Sequence, residues 1–300
     1  MEGEKLTQSY KHPNVLVSTQ WVDEHLNDSS IVIVEVNSHI KDGYAKGHLP
    51  GSICWGLHTD LEHHIRRDIP EIPQFEKLMD RSGISNDTKI VLYGDGNNRS
   101  ATWAFWILKY YRHQNVLLMN GGRNKWAQDG RRMVTTLPDK STSTKTVKKY
   151  KVTQPDCTIR AMQNHVLDKL QNCDVHLLDT RSLEEYMGLL TSDRGSPQAN
   201  IYRKGRIPGA IHVPWDDNCI KEDGTFKSYQ ELSKIYSDAG ITQSNEIIPY
   251  CKLGVRASYT WFVLKYLLGY QDVRNYDGSW TEWGNSTGLP IDIDPNISQK

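Results

Sequence analysis

Short, almost continuously apolar runs alternate along the chain with amphipathic segments of helical length. Apolar runs of this kind are typical of strands buried on both faces, as in a parallel sheet covered by helices. The predicted strands are Ile31–Val36, Ile90–Tyr93, Val116–Met119, Val175–Leu178 and Ile247–Tyr250. The predicted helices are Thr19–Leu26, Phe75–Ser82, Ala101–Tyr110, Ile159–Leu170, Tyr229–Asp238 and Ser258–Leu268. The alternation predicts an α/β fold in which helices flank open, mostly parallel sheets.

This pattern occurs twice. Gly51 and Gly209 lie 158 residues apart in matching Pro-Gly motifs, and Gly122 and Gly278 lie 156 apart in matching Gly-containing turns. Such a period is far longer than the ~20–50 residues of a solenoid repeat and indicates a duplicated domain. We therefore expect similar domains at 1–137 and 152–300, joined by a Ser-, Thr- and Lys-rich linker at 138–151.

Charge and cysteine content narrow the class of protein. Lys plus Arg and Asp plus Glu both number 36, so nothing in the net charge predicts nucleic-acid or membrane binding. The five cysteines are scattered without a C-x-x-C pair, which favours reduced thiols and argues against a zinc site. The polar N-terminus has no signal-peptide run, and no apolar stretch is long enough to cross a membrane. We expect a cytoplasmic protein.

Candidate chemistry concentrates at Cys251, placed where a buried strand meets the following helix. Main-chain N–H groups of such a loop converge on one point, and a helix N-terminus adds positive potential. Gly254 permits a tight turn, while Lys252 and Arg256 add two cations. Cys251 is therefore expected to be an ionised nucleophile for an anionic donor. We expect the other four cysteines to be buried, inert thiols.

The first half offers an internal control. Asp95 stands opposite Cys251, and Glu35 stands opposite Asp179 but lacks the following arginine. A carboxylate in this position is neither a sulfur nucleophile nor attractive to an anion. The N-terminal domain is therefore predicted to be catalytically silent.

The quoted motifs resemble those of tandem rhodanese-domain sulfurtransferases over nearly the whole chain. They are Gly47–Gly51, Leu178–Arg181, Gly205–Ala210, Cys251–Arg256 and Asp277–Trp280. The resemblance implies two rhodanese-like α/β domains with the active site at their interface. It also implies double displacement, in which Cys251 takes the outer sulfur of thiosulfate as a persulfide and a thiophilic acceptor such as cyanide or a thiol removes it. A thioredoxin-like protein is a candidate acceptor, and no metal or organic cofactor is implied.

Roles for the loop residues follow from the same resemblance. Lys252 and Arg256 would hold the sulfonate oxygens of the donor, and the amides of Leu253, Gly254, Val255 and Arg256 would stabilise the persulfide. In animal relatives a substrate-binding arginine stands where this chain has Glu185. Arg181 is a candidate replacement, although a structural ion pair is its favoured role.

Alternatives remain open. Relatives that use 3-mercaptopyruvate as sulfur donor have small neutral residues after the cysteine, so Lys252 favours thiosulfate as the donor. Ser279 is either a turn residue or a group that assists the reaction with the acceptor. Phosphatases and arsenate reductases place more residues between cysteine and arginine than the four between Cys251 and Arg256. A non-enzymatic sulfur-relay or scaffold module is the third alternative, and retention of Cys251 argues against it. A Cys251 walled off from any cleft, with its side chain buried among apolar neighbours, would contradict the enzymatic interpretation.

Overall fold

The computed structural model describes residues 10–38, 43–136, 148–170, 172–191, 201–216 and 219–293. These form two compact units. The first comprises Pro13–Asp156 and Ile220–Phe226, and the second comprises Cys157–Cys219 and Lys227–Lys300, together with residues 10–12, as far as each range is described. No helix among the described residues is long and apolar enough to cross a membrane.

The first unit is built on a five-stranded parallel sheet with the strand order β1-β5-β4-β2-β3. Its strands are β1 (Leu16–Val17), β2 (Ile31–Asn37), β3 (Ile53–Gly56), β4 (Lys89–Gly94) and β5 (Val116–Met119). Its helices are α1 (Thr19–Glu24), α2 (Leu57–Asp60), α3 (Ile72–Arg81), α4 (Arg99–Tyr110) and α5 (Gly122–Gln128). Side chains from the sheet and helices pack into one core that includes Val22, Ile33, Val91 and Trp126.

The second unit has a three-stranded parallel sheet in the order β7-β6-β8. Its strands are β6 (Val175–Asp179), β7 (Ile211–His212) and β8 (Glu246–Tyr250). Its helices are α6 (Gln163–Lys169), α7 (Leu183–Met187), α8 (Tyr229–Asp238), α9 (Val255–Phe262) and α10 (Ser279–Trp283), and a π-helix at Val263–Leu267 continues α9. Together the two sheets confirm the predicted α/β fold with two similar domains.

The predicted strands agree with the structure within one residue, but three helices start three or four residues away from their predicted positions. Helix α3 begins at Ile72 rather than Phe75. The segment predicted as a helix from Ile159 begins with a 3-10 turn at Cys157–Ile159, and α6 starts only at Gln163. The last predicted helix begins at Val255 rather than Ser258. In the predicted linker, residues 138–147 lie outside the described residues. Tyr150 at its end is buried and packs edge-on against Phe75.

The duplication extends to hydrogen bonds. In the first unit the Tyr93 hydroxyl donates to Glu35 at 2.6 Å and accepts the Leu49 N–H at 3.1 Å. In the second unit the Tyr250 hydroxyl donates to Asp179 at 2.7 Å and accepts the Ile207 N–H at 3.1 Å. In each unit, a tyrosine near the carboxyl end of one strand thereby ties the Pro-Gly motif to a carboxylate of the neighbouring strand.

Candidate active site

Cys251 lies directly after β8, at the carboxyl end of a parallel strand. Its sulfur accepts a hydrogen bond from the Gly254 N–H at 3.1 Å, and its own N–H donates to the Ser279 hydroxyl at 3.1 Å. The residue is only 1% exposed. The sulfur nevertheless has a polar main-chain partner, so the side chain is not buried among apolar neighbours alone.

Gly254 gives the loop its shape. Its φ is +83°, in the left-handed region that favours glycine, and an added Cβ would lie 2.7 Å from the Asp277 Cα. Helix α9 begins at the next residue, Val255. The N-terminal turn of α9, with its positive potential, therefore follows the cysteine loop directly. The early start also places Arg256 in that first turn.

The first turn of α10 holds the main chain of the loop. The Trp280 N–H donates to the Cys251 carbonyl at 2.9 Å, and the Thr281 N–H and hydroxyl donate to the Lys252 carbonyl at 3.0 and 2.7 Å. The Ser279 hydroxyl, besides accepting from Cys251, donates to the Tyr276 carbonyl at 2.7 Å. Ser279 has a φ of +53°, a conformation that costs a non-glycine residue about 1–2 kcal/mol. The hydroxyl of Ser279 is thus engaged with the main chain on both sides.

Arg256 is 7% exposed and forms a two-pronged ion pair with Glu185, which is fully buried in α7. Arg256 Nη1 lies 2.8 Å from one carboxylate oxygen and Nη2 lies 3.0 Å from the other. From the sequence we expect Arg256 to hold donor oxygens, and Glu185 stands out only as a departure from the animal pattern. The pairing of these residues was not foreseen.

Arg181 is completely buried and pairs with Asp179. Its Nη2 lies 2.6 Å from an Asp179 oxygen and 2.7 Å from the Gly205 carbonyl, and its guanidinium stacks 4.6 Å from the Trp280 ring. Burial alone would lower the pKa of Arg181, but the Asp179 carboxylate outweighs this effect and raises it. These contacts match the structural ion pair favoured for Arg181.

The other predicted loop residues follow Cys251 without interruption. Lys252 is 4% exposed, Leu253 is partly buried, and Val255 is 6% exposed. The stretch from Cys251 to Arg256 runs from the carboxyl end of β8 into the first turn of α9.

The remaining cysteines fall into two groups. Burial raises the pKa of Cys219 to about 11 and that of Cys54 to about 12, as expected for inert thiols. Cys157 and Cys173 are exposed, so the expectation that both are buried is wrong. Cys157 begins the 3-10 turn Cys157–Ile159, and Cys173 lies two residues before β6.

In the first unit, Asp95 follows β4 at the position that corresponds to Cys251. Gly96, Asn97 and Asn98 all have left-handed φ values. The Asn98 side chain fixes this turn by accepting the Gly94 N–H at 2.9 Å and donating to the Met119 carbonyl at 2.6 Å. The loop is thus built on a carboxylate and asparagines, and the catalytic silence of this domain stays a prediction.

A separate cavity of about 250 Å³ in the same unit is lined by residues that include His64, Lys77 and Arg81, none of them predicted site residues.

Comparison with known proteins adds the family. The rhodanese-like domain family matches residues 18–129 and 162–286. The chain is 47% identical to "Sulfur carrier protein TtuD" of Thermus thermophilus, across 94% of this chain and 98% of that protein. It is 43% identical to the "Putative thiosulfate sulfurtransferase" of Saccharopolyspora erythraea, across 93% of this chain and 96% of that protein.

Solved structures agree on the fold. The anaerobic ergothioneine biosynthesis enzyme from Chlorobium limicola superposes with a TM-score of 0.83 at 24% identity, over 95% of this chain and 71% of that chain. Two α/β units, each built on a sheet of parallel strands and one with a cysteine at the carboxyl end of a strand, define a duplicated rhodanese-like architecture. The chain belongs to the rhodanese family of sulfurtransferases as a tandem-domain member. This confirms the resemblance found in the sequence.

Proposed function

We propose that the protein transfers the outer sulfur of thiosulfate to a thiophilic acceptor through a persulfide on Cys251. The observation that carries the proposal is the hydrogen bond from the Gly254 N–H to the Cys251 sulfur, directly before the N-terminus of α9. Both features favour negative charge at this sulfur, which a thiolate and a persulfide anion each carry. The relative from Saccharopolyspora erythraea, by its name, supports thiosulfate as donor.

The reaction consists of two displacements. In the first, the Cys251 thiolate attacks the outer sulfur of thiosulfate; a new S–S bond forms, the original S–S bond breaks, and sulfite leaves with its electron pair. In the second, cyanide or a thiolate attacks the terminal sulfur of the persulfide, and the Cys251 thiolate is the leaving group. No external oxidant or reductant is needed, since sulfur moves without a net change in electrons.

Lys252 and the loop main chain are the proposed donor-binding groups. Lys252 directly follows the nucleophile, and its carbonyl is fixed by two hydrogen bonds from Thr281. Leu253, Gly254, Val255 and Arg256 span the turn into α9, whose first N–H groups lack helical acceptors by geometry. The side chain of Arg256 contributes less than expected from the sequence, because it is paired with Glu185.

A persulfide carrier is the second candidate function. It is favoured by the name of the Thermus thermophilus relative, which matches nearly the whole chain. A carrier would load sulfur on Cys251 in the same way but deliver it to a protein partner rather than to cyanide or a small thiol.

Steady-state kinetics with cyanide as acceptor tests the proposal. We expect parallel double-reciprocal plots and a higher kcat/KM for thiosulfate than for 3-mercaptopyruvate. Lys252→Ala should raise the KM for thiosulfate about tenfold to a hundredfold, as for loss of one charge-assisted hydrogen bond. Lys234→Ala, at an exposed lysine of α8, is the matched control and should have no effect. A preference for 3-mercaptopyruvate, or an unchanged thiosulfate KM in Lys252→Ala, would contradict thiosulfate as donor. Loading without turnover would favour the carrier.

A further inference from the structure

Three hydrogen bonds hold the carboxylate of Glu185 in place. One oxygen accepts from Arg256 Nη1 at 2.8 Å and from the Ser182 N–H at 3.1 Å, and the other accepts from Arg256 Nη2 at 3.0 Å. The Ser182 contact belongs to the capping box that begins α7, so the position of the carboxylate is set by the helix itself. Glu185 therefore fixes the Arg256 guanidinium from a rigid element.

Glu185 is ionised in this setting. Burial by itself would raise its pKa, but the hydrogen bonds and positive charge of Arg256, with a further contribution from Arg181, lower it below the ordinary value. Because arginine stays protonated, the pair of Glu185 and Arg256 is neutral at pH 7. The first turn of α9 thus presents less positive charge than the sequence of the loop indicates.

We propose that Glu185 is a specificity-determining residue, which cancels the charge of Arg256 and so limits how strongly the cysteine loop binds doubly charged donors. The inference rests on the proposed sulfur transfer at Cys251. Glu185 acts through Arg256 and is a positioning residue rather than a group that touches the donor. The sulfonate of the donor is then left to Lys252 and the main chain of the loop.

Glu185 should therefore weaken the preference of the cysteine loop for dianionic over monoanionic donors. Removing one negative charge near an anion site strengthens the binding of a dianion more than that of a monoanion, because the Coulomb energy scales with the product of charges. Thiosulfate is a dianion, and 3-mercaptopyruvate is mainly a monoanion near neutral pH. The charge of residue 185 should therefore change the ratio of the two KM values.

Three variants separate charge from structure: Glu185→Gln, Arg256→Gln and the double variant. If charge governs the loop, Glu185→Gln lowers the thiosulfate KM about fivefold to tenfold, and the 3-mercaptopyruvate KM less. Arg256→Gln exposes the loop to an uncompensated carboxylate and raises the thiosulfate KM, and the double variant lies between the single variants. If the ion pair is only structural, we expect instead that both single variants raise the thiosulfate KM. The double variant should then have a thiosulfate KM no lower than that of Arg256→Gln. That outcome overturns the inference. If Glu185→Gln alone fails to fold, the comparison of Arg256→Gln with the double variant decides: a double variant no better than Arg256→Gln overturns it.

A second measurement is independent of sulfur transfer. The pH profile of Cys251 alkylation by neutral iodoacetamide, followed on its peptide by mass spectrometry, should shift down by about half a unit to one unit in Glu185→Gln. Glu184→Gln removes the same charge from the adjacent, exposed position of α7 and should leave the profile in place. If wild-type protein takes no sulfur from thiosulfate but the profile still shifts, the proposed function fails and the role of Glu185 stands. An unshifted profile overturns that role.

Discussion

Arg181 offers a direct test of how the second unit is held together. Its guanidinium contacts Asp179 through three hydrogen bonds of 2.6–3.1 Å and also reaches the Gly205 carbonyl. Asp179 in turn accepts from the Tyr250 hydroxyl at 2.7 Å. Arg181→Met keeps much of the side-chain volume over Trp280 but leaves the buried Asp179 carboxylate without its cation.

The expected loss of stability in Arg181→Met is large, because neither Arg181 nor Asp179 is exposed. Breaking a buried pair on one side costs about 3–5 kcal/mol. For a unit of this size, each kcal/mol lowers Tm by roughly 2–4 °C, so the transition of the second unit should fall by about 6–20 °C. The double variant with Asp179→Asn should recover part of this loss, since no buried charge is left uncompensated.

Differential scanning calorimetry is the appropriate assay, because a chain of two units need not unfold in one step. Arg274→Met is the matched control: Arg274 pairs with Glu246 at 2.8 Å, but its side chain is 28% exposed, so the change should cost no more than about 1 kcal/mol. If Arg181→Met instead leaves Tm within the range of the control and raises the thiosulfate KM, the guanidinium serves the donor and the structural interpretation is wrong.

Two further predictions concern other buried groups. Ser279→Ala leaves the Cys251 N–H without its acceptor, so it should lower stability by about 1–3 kcal/mol and reduce kcat for sulfur transfer; unchanged Tm and kcat would contradict this support role. In the first unit, burial lowers the pKa of His113 to about 4 from the ordinary histidine value of about 6.5, so the unfolded chain takes up a proton at a higher pH than the folded chain. The stability contributed by burying the neutral His113 side chain is therefore fully present above pH ~6.5. The free energy of unfolding decreases by up to about 3 kcal/mol as the pH falls through 4. His113→Gln should flatten the Tm profile over this interval, and an identical slope in the variant would contradict the assignment.

The sequence allowed the strands, the duplication and the cysteine loop to be predicted, because each rests on a local pattern. Runs such as Ile31–Val36 match β2 within a residue, since a strand buried on both faces is apolar throughout. Three short strands were missed, because segments of two to four residues carry too little periodicity: Leu16–Val17, Ile53–Gly56 and Ile211–His212.

The pairings of the site were harder to foresee. Glu185 and Arg256 are 71 residues apart, and nothing local to either residue predicts the other as its partner. The Ser182–Glu185 capping box was a visible signal for α7 and could have placed Glu185 at a helix start. The early start of α9 depends on the left-handed Gly254, which the sequence permits but does not require.

The sequence also did not predict which unit each segment belongs to. The segment Ile220–Phe226 comes from the second half of the chain but clusters with the first unit. There, the Phe226 N–H donates to the Asn120 side chain at 3.0 Å, and Lys125 lies 3.9 Å from Asp223. The local sequence of such a polar turn does not predict which residues it will contact.

Intact-protein mass spectrometry after brief exposure to thiosulfate tests the central claim, that the Cys251 sulfur accepts a second sulfur atom. The wild-type protein should gain about 32 Da, the mass of one sulfur, and lose it again on addition of cyanide. Cys251→Ser should gain nothing, while Cys157→Ser and Cys173→Ser, at the exposed cysteines, should gain the same mass as the wild type. An unmodified wild-type protein, or a Cys251→Ser variant that still takes up sulfur, would contradict the account.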